Sequence, residues 1–173
     1  MKRFPAVLAI VSFCMIAGIS TKTPAQARLF TSEAVEYTFE LPSPVWRIIS
    51  EPDGINQHAE FIFGDRNDGF LQIHKEVVES GVSPTDLARR DQDQRLRFRP
   101  GFIEGKQERF AARFPSVALS YEYTSGGKPM SGVIYYLQTD SHTIYALRFS
   151  GLRDKLRVIR NQTDEMARTF RLK

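Results

Sequence analysis

Residues 117–149 read VALSYEYTSGGKPMSGVIYYLQTDSHTIYALRF. Three runs rich in β-branched and aromatic residues, Val117–Thr124, Gly132–Gln138 and Thr143–Phe149, are parted by two clusters of turn formers. The clusters are Ser125-Gly126-Gly127-Lys128-Pro129 and Thr139-Asp140-Ser141-His142. The pattern predicts three consecutive strands. Connections this short join antiparallel neighbours only, because a parallel pair needs a long crossover. The odd positions, among them Leu119, Tyr121, Tyr135, Leu137, Leu147 and Phe149, read as one large apolar face. The even positions, among them Glu122, Tyr136, Ala146 and Arg148, read as a mixed face with partial cover.

Downstream, Leu156, Ile159, Thr163, Met166 and Phe170 fall at helical spacing and predict one helix over Asp154–Phe170, laid on the apolar face. Upstream, Phe102–Phe110 is expected to be a strand. Before it, Ser83-Pro84-Thr85-Asp86 carries a helix start: Ser83 to cap, Pro84 for the first helical position, Asp86 to reach back to the cap amide. That helix is expected to end before Pro100-Gly101, with a thin apolar stripe of Leu87, Leu96 and Phe98. Earlier still, Ala59–Phe63 and Phe70–Val77 form an expected hairpin around a loop of about five residues. An even pairing sum puts Ala59, Phe61, Phe63, Leu71 and Ile73 on one apolar face, and a slip of one residue would scramble it. The first strands are Val35–Leu41 and, after Pro42-Ser43-Pro44, Val45–Ile49. The fold class is therefore α+β: an α/β/α sandwich with a central, mainly antiparallel sheet and a C-terminal helix packed on it.

The N-terminus reads as a targeting segment. Lys2 and Arg3 precede an apolar run from Ala6 to Ser20, and Ala25-Gln26-Ala27 puts small residues where a signal peptidase wants them. The run is shorter than the roughly 20 residues of a spanning helix. Residues 1–27 are thus expected to be a signal peptide and 28–173 a single domain, with an uncleaved anchor as the alternative. Removing the leader takes Lys2, Arg3 and Lys22 and no acid. Of 24 basic and 20 acidic side chains, 21 and 20 remain, a net charge of +1. So slight a surplus argues against a nucleic-acid partner. The single cysteine, Cys14, lies in the leader, so the exported domain holds no disulfide. Phe13 and Val11 do not suit a lipoprotein site around Cys14.

The segment Tyr37-Thr38-Phe39-Glu40-Leu41-Pro42-Ser43-Pro44-Val45-Trp46 resembles the opening of PsbP-like domains, the group of the PsbP photosystem accessory proteins and the bacterial DcrB-type envelope proteins. The later order of two strands, a helix, a meander and a helix closing on Thr169-Phe170 is similar too, over most of Phe30–Leu172. The resemblance implies an α/β/α sandwich and a non-catalytic accessory or binding role. It carries over no ligand residues, and Cys14 does not stand in for the lipid-attachment cysteine of the DcrB-type proteins.

No H-E-x-x-H, G-x-S-x-G or P-loop motif occurs, and no catalytic residue or cofactor is expected. One constellation suits a metal. In the even register His58, Glu60 and His74 share a face, and two imidazoles with a carboxylate suit zinc or copper. The bland alternative is separate surface side chains. His142 reads as a turn residue; Trp46, Tyr121, Tyr123, Tyr135 and Tyr136 are candidates to line a binding cleft, with core and cross-strand pairs as the blander reading. The expectation is an exported, periplasmic or secreted, non-enzymatic domain without a membrane span after cleavage, binding a protein or small molecule in the envelope. The alternatives are a small secreted hydrolase and a metal-binding protein.

Overall fold

The computed structural model describes residues 27–53 and 58–173. The expected leader, apart from Ala27, and Cys14 lie outside them. The strands are β1 (Arg28–Phe30), β2 (Tyr37–Leu41), β3 (Trp46–Ser50), β4 (Glu60–Phe63), β5 (Asp65–Val77), β6 (Ile103–Arg109), β7 (Ser116–Ser125), β8 (Lys128–Gln138), β9 (Thr143–Leu152) and β10 (Arg171–Leu172). The helices are α1 (Pro84–Asp91), α2 (Arg153–Val158) and α3 (Arg160–Thr169).

Seven strands form one antiparallel sheet in the order β3-β4-β5-β9-β8-β7-β6. One face is covered by α2, α3 and a small sheet, β1-β2-β10. The other carries α1. This is the expected sandwich with one addition: β2 leaves the main sheet. Its alternation fits either sheet, and Pro42-Ser43-Pro44 frees it from β3. It crosses over the core instead, with the Phe39 ring 5.3 Å from Phe61 and Tyr37 5.5 Å from Tyr145.

The expected single apolar surface of odd positions is corrected. Leu119 pairs with Ile134 and Tyr121 with Gly132, an odd sum, while Tyr135 pairs with Leu147, an even one. Val117, Leu119, Tyr121 and Tyr123 therefore face α1 together with Ile134 and Tyr136. Val133, Tyr135, Leu137, Tyr145, Leu147 and Phe149 face the C-terminal helices. The cause is the turn. Only Gly126 and Gly127 lie between the paired Ser125 and Lys128, both with positive φ, 56° and 73°. A two-residue turn of this hand forces an odd sum.

Three further boundaries differ. The β4–β5 connection is not a five-residue loop: β5 starts at Asp65, with Gly64 at φ 66° and a register shift after Ile62. The even register holds, with Phe61 opposite Leu71 and Ile62 opposite Phe70. The Ser83 capping box forms, but α1 stops at Asp91 and a π-helical turn, Gln92–Leu96, follows. The C-terminal helix is broken at Ile159, which leaves helical geometry at φ −99°, ψ 12°. Its stripe of Leu156, Ile159, Met166 and Phe170 is nevertheless buried. Each such side chain contributes about 1.5–3 kcal/mol on burial.

Candidate functional site

The β4–β5 register brings two of the three predicted metal-site residues together. Glu60 pairs with Gln72, and the Ile73 amide donates to the Ala59 carbonyl at 3.4 Å. The next pair outward is His58 and His74, whose ring centres are 4.6 Å apart at an interplanar angle of 46°. His58 Nδ1 lies 3.3 Å from the Ile73 carbonyl oxygen, which only a protonated Nδ1 satisfies. Glu60 shares the face but turns to other partners: it accepts from Gln72 Nε2 at 2.8 Å and Arg66 Nη2 at 3.4 Å. Among the described residues no group of three His, Cys, Asp or Glu side chains is arranged to hold a metal ion. His142 sits in its turn, with Nδ1 2.8 Å from the Ser141 hydroxyl.

Beside the histidines lies a charged network that sequence reasoning missed. Asp91, at the end of α1, is 4% exposed. It accepts from the Tyr136 hydroxyl at 2.8 Å and from Arg148 Nη2 at 2.6 Å. Arg95 approaches it at 3.4 Å. Arg148 also reaches Glu76 at 3.2 Å. Burial pushes the Tyr136 hydroxyl well above its ordinary range, and the Asp91 charge adds to it. Burial alone would weaken the Arg148 charge, but Asp91, Tyr136 and Glu76 raise its pKa. His74 is pushed down to about 4, first by burial, then by the Arg148 charge and by His58.

Around the end of the sheet, a cleft of about 360 Å³ is lined by Glu36, Tyr37, His58, Ile73, Lys75 and Tyr145, among others. The Glu36 carboxylate holds the Lys75 ammonium and the Tyr145 hydroxyl. Those two bonds lower the Glu36 pKa. Burial and the same Glu36 bond raise that of Tyr145. The predicted aromatic candidates are core: Trp46 is fully buried and its indole donates to Gln162 Oε1 at 3.0 Å. Tyr135 bonds to Thr163 at 2.9 Å and to Asp164.

No family model matches the sequence, and no curated protein does. Solved structures do match. CyanoP, the cyanobacterial PsbP from Synechocystis, aligns over 94% of this chain and 99% of its own, with a TM-score of 0.61 at 15% identity. The fold is PsbP-like. LpqN of Mycobacterium tuberculosis, described as involved in cell envelope biogenesis, has a TM-score of 0.50 at 14% identity, covering 87% of this chain and 86% of that one. The Ran-binding protein Mog1p of Saccharomyces cerevisiae has 0.61 at 7%, covering 86% and 96%. At these identities the PsbP-like likeness is one of fold. Among the described residues no helix is long and apolar enough to cross a membrane.

Proposed function

We propose that this chain is an exported, non-catalytic accessory domain of the cell envelope or extracellular space that works by binding a partner protein. The observation that carries the reading is the unequal cover of the sheet. The buried side chains of α1, with Leu96 beyond it, cluster with β7, β8 and β9. On β3, β4 and β5 the same face presents Arg47, Glu60, Phe70, Gln72 and His74, half-buried or exposed. A half-covered face mixing aromatic, charged and amide groups suits a moderately polar protein interface. The chemistry-bearing groups elsewhere are engaged with one another, as Tyr136 with Asp91 and Tyr145 with Glu36. The shared fold with an envelope-biogenesis protein and a Ran-binding protein supports a binding role by analogy of architecture.

Site-specific photo-crosslinking in the native host tests it. A photoreactive residue replaces Arg47 on the open half, or Arg90 on the solvent side of α1. The expected result is one discrete adduct from position 47 and none from 90. No adduct at 47, or the same adducts from both, contradicts the reading.

A further inference from the structure

We propose that His58 and His74 form a cross-strand chelate for a borderline-soft divalent ion of the copper(II) and zinc class. His74 lies on β5 and His58 two residues before β4, one step beyond the Ile73–Ala59 backbone hydrogen bond. Since Ile73 donates to Ala59, the next pair outward is of the close, non-hydrogen-bonded kind, whose Cβ atoms lie about 4.5–5.5 Å apart. With metal–nitrogen bonds of about 2.0–2.1 Å and a ring radius of about 1.1 Å, two imidazoles on one ion at about 90–110° have centres about 4.4–5.2 Å apart. The observed separation is 4.6 Å. The backbone leading into β4 and the course of β5 thus place the two rings at the spacing of a bidentate site.

Second, the His58 ring is already oriented. Its Nδ1 faces the Ile73 carbonyl at 3.3 Å, so that nitrogen carries the proton and Nε2 keeps its lone pair. A ligating histidine is typically held in this way by a backbone carbonyl behind it. Third, the neighbouring guanidiniums are engaged by carboxylates, although Arg148 and Arg95 still act on His74. Arg148 and Arg95 are both within salt-bridge distance of Asp91 and Glu76, and Arg66 is paired with Glu60. Among the described residues the guanidiniums of Arg66, Arg95 and Arg148 around the two imidazoles are thus each paired with a carboxylate. Glu60 is not a ligand. Its two oxygens serve Gln72 and Arg66, so water or a group from outside the chain completes the shell. Imidazole nitrogens favour copper, zinc and nickel over calcium or magnesium. The site shares His74 with the face proposed for a partner, but metal binding by the purified chain is measured without one and stands or falls by itself.

Copper(II) is the probe. The purified chain carrying Cys14→Ser, so that no thiol competes, is titrated by calorimetry, and the loaded form is examined by electron paramagnetic resonance. One ion per chain and nitrogen hyperfine structure from two imidazoles are expected. His58→Ala is the decisive variant, because His58 is exposed and its loss spares the core. It should weaken binding by about tenfold or more. His74→Gln should do the same, with its fold checked by circular dichroism. Glu60→Gln and His142→Ala should change affinity less than twofold. Absence of binding, affinity unchanged in His58→Ala, or an equal loss in Glu60→Gln or His142→Ala overturns the proposal.

Discussion

The residue that most strains the balance between burial and charge is Arg148. It lies in the middle of β9, 16% exposed as a side chain, with Asp91 at 2.6 Å as its principal counter-ion. Removing one member of a buried ion pair leaves the other uncompensated, which costs about 3–5 kcal/mol. Glu76 at 3.2 Å retains part of the compensation, so Asp91→Asn should lower unfolding stability by about 3 kcal/mol, read from urea denaturation. A loss below about 1 kcal/mol would mean that Glu76 and solvent suffice. His74 supplies a pH dependence. Its folded pKa of about 4 lies below the ordinary imidazole value of 6.5, so between those values the unfolded chain binds more protons than the folded one. Its contribution to stability is complete above about pH 6.5 and is lost as pH falls toward 4. The groups facing it are Arg148, His58, Glu76 and Arg95. In metal-free buffer, stability should fall over that window, and His74→Gln should flatten the slope. An unchanged slope in the variant would contradict the assignment. Only part of this cluster was legible in the sequence. The shared face of His58, Glu60 and His74 followed from segregating apolar residues in one short hairpin. The Asp91–Arg148 pair did not, because its members are 57 residues apart and meet only through the docking of α1 and the register of β5 on β9.

At the scale of elements, local chemistry decided beginnings and turns decided faces. Ser83, Pro84 and Asp86 carry a complete start signal, and α1 begins there with Ser83 Oγ accepting from the Asp86 amide at 3.2 Å. Ser83→Ala should cost about 1 kcal/mol, measured by thermal or urea unfolding, since a cap oxygen serves an otherwise orphaned amide. No measurable loss would show that the helix end is held by tertiary contacts instead. The helix ends were less legible. Nothing in the stripe of Leu156 to Phe170 marks the break at Ile159, which leaves the stripe buried on both sides of it. The β7–β8 hairpin shows how much hangs on a turn. Reading the five-residue cluster from Ser125 to Pro129 as the loop leaves the register open. Once Gly126 and Gly127 alone make the turn, Tyr121 and Tyr135 must fall on opposite faces. The departure of β2 into a second sheet was hidden for a different reason. Its partners, Arg28–Phe30 and Arg171–Leu172, are too short to announce themselves by alternation.

Across the whole molecule, the fold buries two cores on opposite faces of one sheet and leaves part of one face half-covered. The described domain spends many of its tyrosines and carboxylates on holding itself together, as Tyr136 with Asp91 and Tyr145 with Glu36. An accessory role in the envelope requires that the domain be delivered there. The charged start, short apolar run and Ala25-Gln26-Ala27 site call for cleavage before Arg28. The measurement that tests this most directly is N-terminal sequencing of the protein recovered from fractionated host cells. A chain beginning at Arg28 in the periplasmic or extracellular fraction is expected. A chain beginning at Met1 in the cytosol, or at Cys14 in the membrane, would contradict it.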